Sequence, residues 1–197
     1  MDKLTVRLEE YDFPVRLAAE LGQDERMLKT YDAPGTTKER KLLITALLGE
    51  MFSDKAVPRL TQGLKDPDQD IVKASAVALG NIGQKESIPA LVNLLQSGKP
   101  DVQRAAARGL GQVGAFHGDA TVVPPLLDAL KTNDIALKTD VVWALGKIPD
   151  RRAYEPLREL QRSLRNVRTS DRSSPEAKLW DAISYTLKQL DAIDQMN

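Results

Sequence analysis

The chain has 197 residues, 28 Lys+Arg against 28 Asp+Glu, one histidine and no cysteine. This length suits one domain or a short repeat array, with a core that needs no staples. Lack of cysteine excludes disulfides, thiolate metal sites and a cysteine nucleophile, a lone histidine excludes two-histidine metal sites, and balanced charge disfavours a general nucleic-acid binder.

Met1 to Glu10 reads MDKLTVRLEE, which lacks the continuous apolar core of an export signal. No apolar run is long enough to span a bilayer. A cytoplasmic protein with no transmembrane segment is therefore expected. Leu4, Val6 and Leu8 alternate as in a strand, but no partner strand is in view, and residues 1–11 are left unplaced. Pro14 to Leu21 predicts a first helix, Tyr31 to Thr37 a turn-rich break, and Glu39 to Phe52 a second helix. Aromatic residues are 5% of the chain, and the apolar content is mostly Ala, Leu, Val and Ile, which suits close-packed helices.

From residue 54 onward the chain repeats itself. Pro58 recurs as Pro89, and Gly80 as Gly111, both 31 positions on. Leu48-Gly49 precedes Leu79-Gly80 by the same step. Pro124 and Gly146 follow at 35, so four extra residues fall within Ala115 to Thr121, and Pro156 follows at 32. Such a period marks a solenoid. Each unit reads as two helices. The first opens on proline, whose missing N–H costs nothing there. The second carries a small or apolar stripe such as Ile71, Ala74, Ala78 and Leu79. A glycine inside a helix is unfavourable by about 1 kcal/mol against alanine. Its return at Gly49, Gly80, Gly111 and Gly146 predicts a close helix crossing in each unit. In the last unit Pro156 to Leu160 begins a first helix, a long loop spans Asn166 to Ser174, and Pro175 to Ile193 is the partner helix.

The prediction is an all-α, right-handed α-solenoid of about five stacked helix pairs, forming a single domain over residues 1–197. Its units are 12–53, 54–84, 85–118, 119–150 and 151–193, with atypical capping repeats at both ends.

The run Asp101-Val102-Gln103-Arg104-Ala105-Ala106-Ala107-Arg108-Gly109-Leu110-Gly111-Gln112-Val113-Gly114 resembles the short HEAT repeat, D-x-x-x-A-A-x-A-L-G-x-I-G. Asp54-Lys55-Ala56-Val57-Pro58-Arg59-Leu60 matches the opening of such a unit. The period is shorter than the roughly 40 residues of long HEAT units. It is similar to the variety found in phycobilisome (phycobilin) lyase-type HEAT-like repeats. The resemblance is close over 54–114, good over 122–149 and weaker towards both ends.

No catalytic constellation and no metal site are read from the sequence. His117 sits beside no nucleophile and reads as a turn residue. Gly109 to Gly114 matches G-x-G-x-x-G, but within a helical unit rather than after a strand, so it fails as a phosphate loop. There is no His-Glu dipeptide, which closes the metal-dependent HEAT hydroxylase branch.

Two surfaces remain. Second helices of stacked pairs line the inner face, and alignment on the glycines gives Ala46, Val77, Arg108, Trp143 and Tyr185 as one inner row. Glu50, Asn81, Gln112, Lys147 and Gln189 form the next, and Lys73, Arg104, Thr139 and Asp181 a third. Lys73, Asn81, Arg104, Arg108, Gln112, Asp140, Trp143, Lys147 and Tyr185 are the candidate partner-binding residues, with Trp143 exposed and Trp180 in the core. Trp beside Arg and Tyr is the composition of a binding hot spot. The second surface is a basic patch of Arg151, Arg152, Arg158, Arg162, Arg165, Arg168 and Arg172, able to hold anions or to pair along its own helix.

The first functional reading is a non-catalytic scaffold or assembly factor that binds another protein on the concave face and needs no cofactor. The resemblance implies an alternative, a phycobilin lyase or lyase subunit. It would handle a transiently bound bilin on a phycobiliprotein, with a phycobiliprotein or a second HEAT-repeat subunit as its partner. Arg104, Arg108 or Lys147 would then meet propionates, and Trp143 and Tyr185 the rings. A remote alternative is a DNA glycosylase-like HEAT protein using Asp140, Trp143 and Tyr185, which zero net charge disfavours.

Overall fold

The computed structural model describes residues 22–148, 150–164 and 173–194. Among them are ten α-helices and no strand. They fall into five pairs, each with a first (A) and a second (B) helix. The pairs are α1 (Gln23–Asp32) with α2 (Lys38–Glu50), α3 (Val57–Gly63) with α4 (Gln69–Ile82), α5 (Ile88–Ser97) with α6 (Pro100–His117), α7 (Val123–Ala129) with α8 (Ile135–Gly146), and α9 (Tyr154–Ser163) with α10 (Pro175–Asp194). A 3-10 turn precedes each A helix from α3 onward.

The local chemistry follows the repeat. Pro58, Pro89 and Pro124 lie in the first turn of α3, α5 and α7. Polar side chains cap most B helices. Thr37 accepts from the Arg40 N–H, Asp68 from Asp70, Asp134 from Leu137, and Ser174 from Ala177. Each such cap satisfies a donor that the helix cannot satisfy itself. Gly83 and Gly118 end α4 and α6 in the left-handed conformation, which glycine enters without strain.

The recurrent glycines sit at the crossings of successive B helices. A Cβ on Gly49 would lie 2.9 Å from the Cα of Ala78, and one on Gly111 would lie 2.6 Å from the Cα of Ala144. At Gly146 the neighbour is the Thr186 hydroxyl, at 2.8 Å. The B helices pack on one another throughout the array, whereas the A helices touch sparsely. Grooves open on the A side, one of about 430 Å³ beside Val57 and Thr61 and one of about 250 Å³ between Leu95 and Pro125. Tight B spacing and loose A spacing bend the stack towards the B helices, whose outer rows line the concave side. Leu48, Leu79, Leu110 and Leu145, each beside a glycine, are fully buried in one continuous core.

Three features differ from the sequence reading. The predicted helix Pro14 to Leu21 lies outside the described residues. Among the described residues, α1 packs on α2, through residues read as a connection and break. Its N-cap is Gly22 without a side-chain cap, so no start signal is visible there. The four extra residues after Gly111 are not all loop. They lengthen α6 to 18 residues, about one added turn. That turn overhangs the preceding unit. Phe116 lies against Gly83, and Nε2 of His117 is 2.7 Å from the Gly83 carbonyl oxygen, which accepts from it. Trp180, read as core, is half-buried. The loop expected over 166–174 lies mostly outside the described residues.

Candidate functional site

The row Ala46, Val77, Arg108, Trp143 and Tyr185 occupies one register of five successive B helices, and every member is exposed. The fold explains this. The neighbouring positions in each helix face either the A helix or the next B helix, and this one faces neither. Trp143 is 44% exposed and Tyr185 52%, with ring centroids 5.4 Å apart and planes at 50°. Tilted aromatic pairs at this distance attract beyond their burial of area. Val77 and Leu43 are also large apolar side chains in water, at 46% and 59%. Leu43 is absent from the sequence-derived set. Its position three residues before Ala46, on the same helix face, was the available signal.

Between the apolar and aromatic ends lies a charged cluster. Asp140 is only 8% exposed. Its Oδ2 accepts from Arg104 Nε at 2.7 Å and from Arg108 Nη2 at 3.0 Å, and its Oδ1 accepts from Arg108 Nε at 2.9 Å. Asp140, one of the candidate residues, is therefore turned to these arginines rather than to solvent. It anchors two arginines of the preceding B helix, and burial is tolerated because three charge-assisted bonds satisfy it. The hydrogen bond to Asp140 raises the pKa of Arg104 above its usual value. Arg108 remains exposed beyond its anchored edge. Lys147 donates to Gln112 Oε1 at 2.6 Å, which leaves its charge unneutralised.

Lys73 pairs with Asp70, which also pairs with Lys38 of the preceding unit. Asn81 and Gln112 are half-buried. In the basic patch, Arg152 holds Asp150 through two nitrogens and donates to the Ala120 carbonyl of the preceding unit. It acts as a clamp between 3-10 turns. Arg158 lies over the Tyr154 ring and donates to its hydroxyl at 2.8 Å. Arg151 and Arg162 are exposed. Arg165, Arg168 and Arg172 lie outside the described residues. Gly109 to Gly114 lies inside α6 and cannot form a phosphate loop. Among the described residues no group of three His, Cys, Asp or Glu side chains could hold a metal ion, and no helix is long and apolar enough to cross a membrane.

Several solved structures share this architecture. An engineered protein is 21% identical, with a TM-score of 0.58 over 92% of this chain and 84% of that chain. A computationally designed armadillo repeat protein for modular peptide recognition is 16% identical, with a TM-score of 0.53 over 89% and 85%. The complex of CpcE and CpcF of phycocyanin lyase from Nostoc sp. PCC7120 is 18% identical, with a TM-score of 0.41 over 95% and 91%. For the first two the likeness is one of fold. No curated protein matches the chain. The family description "HEAT repeats" matches residues 35–99 and 88–171, most of the chain. With the stacked helix pairs and their glycine crossings, this match identifies the chain as a member of the HEAT-repeat family.

Proposed function

We propose that this chain is a non-catalytic interaction scaffold that grips another protein on its concave face. The observation that carries the reading is the Trp143–Tyr185 pair, two aromatic rings in mutual contact and half open to water. Core packing does not require either ring at that register, where other units carry Ala46, Val77 and Arg108. Exposed aromatics beside an anchored arginine supply apolar area and a directional donor together, the two commonest ingredients of an interface hot spot. Asp140 gives no free acid for base excision or hydrolysis, since both its oxygens are held by arginines. That weighs against the glycosylase reading.

A phycobiliprotein or a second HEAT-repeat chain is the partner that the family resemblance suggests. The test is affinity capture from the native organism, with wild-type protein and Trp143→Ala side by side. The scaffold reading expects partners that the wild type retains and the variant loses. Mixing the purified protein with an open-chain tetrapyrrole tests the lyase alternative. A shift in the bilin's visible absorbance, lost in Trp143→Ala, would replace protein binding with bilin handling as the role of this face.

A further inference from the structure

Resting on the scaffold reading, we infer that the concave face binds an extended segment of its partner in which a carboxylate side chain is flanked on both sides by apolar ones, each two or three residues away. Three subsites lie on three successive B helices at the same register. Val77 is apolar, Arg108 cationic and Trp143 aromatic, with Tyr185 extending the last.

Spacing sets the occupant's conformation. Packed helices lie about 8–10 Å apart. Two residues of extended strand span about 6.7 Å, and one three-residue turn of polyproline II spans about 9.3 Å. The three-residue step matches the helix spacing and the two-residue step falls just short of it, so an extended segment crossing the helices can present one side chain to each of the three units. A helix lying across them would rise only about 5.4 Å per turn, out of step with the subsites. The order apolar, acidic, apolar reads the same in both chain directions, so the site does not depend on the orientation of the segment.

Charge sets the middle residue. Arg104, Arg108 and Lys147 provide three cations on this part of the face, against the buried Asp140 carboxylate. Asp101, 3.8 Å from Arg104 Nη1, and Asp134 offset the charge of Arg104, so the cations left to a partner are Arg108, through its outer edge, and Lys147. Arg108 meets Asp140 through Nε and Nη2. The other edge of its guanidinium, Nη1 with the second Nη2 hydrogen, points away from that bond and suits a second carboxylate in a fork. Because Asp140 holds the side chain, less rotamer freedom is lost on binding.

The probe is a phage-displayed library of random linear peptides, panned on the full-length protein. Enriched sequences should carry Asp or Glu with an apolar residue two or three positions to either side. A synthetic peptide of the enriched sequence, followed by fluorescence anisotropy, should bind at least tenfold more weakly to Arg108→Gln. Replacing its acidic residue with Asn should cause a similar loss, a test that needs no variant to fold. A consensus without an acid, a basic consensus, or unchanged binding after the Asn replacement overturns the inference. Enrichment of no linear peptide, while Trp143-dependent capture of a folded partner persists, overturns it and leaves the scaffold reading standing. Capture undiminished in Trp143→Ala removes the scaffold reading of this face and the inference with it.

Discussion

A Cβ on Gly80 would lie 2.7 Å from the Cα of Gly109, closer than carbon atoms pack. The obstacle is backbone, so no rotamer change relieves it. Gly80→Ala should therefore lower stability, although alanine favours an isolated helix by about 1 kcal/mol. Gly111→Ala, facing the Cα of Ala144, should do the same. The clash costs on the order of 1–3 kcal/mol, and urea unfolding measures the net. Stabilisation in both variants would show that these glycines serve no crossing.

Asp140 has two arginine partners, so losing either one leaves it paired. Arg104→Met and Arg108→Met should each cost about 1 kcal/mol. The double variant leaves a buried carboxylate without a cation and should cost on the order of 3 kcal/mol, more than the two losses added. A double-mutant cycle reads this coupling directly. Simple additivity would mean that Asp140 is satisfied by water instead.

Hydrogen bonds from Lys38, then Lys73, hold the Asp70 carboxyl at a pKa of about 2. Its unfolded value is about 3.9. The folded value is depressed, so this contribution is present above about pH 4 and is lost as pH falls towards 2. Nuclear magnetic resonance titration of the Asp70 carboxyl should give the low value in wild type and a rise towards the unfolded value in Lys38→Met. An unchanged titration in that variant would remove the bridge between the first two units from the account.

Much of the array was legible in the sequence because its causes recur there. Proline at the A-helix start and glycine at the B-helix crossing return at fixed steps, and the exposed inner row follows from counting back from each glycine. Helix α1 was not legible. Its apolar residues are sparse, its N-cap is a glycine, and its one buried apolar side chain, Tyr31, lies beneath the guanidinium of Arg59 from the next unit. The added turn of α6 was hidden for a different reason. A glycine in sequence signals a turn, whereas Gly118 ends the longer helix in a left-handed cap. The burial of Asp140 was hidden too. It depends on arginines 36 and 32 positions earlier, brought to it by the stacking of α6 on α8. Aspartate alone signals an exposed position, and only the register between units reverses that.

The central claim is that Trp143 contributes to partner binding rather than to the fold. Isothermal titration of the captured partner into wild-type and Trp143→Ala protein tests it most directly, with a thermal melt of each. The account predicts that binding weakens by at least about 2 kcal/mol, roughly thirtyfold, while the melting temperature changes little because the ring is half in water. Undiminished affinity, or a collapsed melting temperature with binding intact, would contradict it.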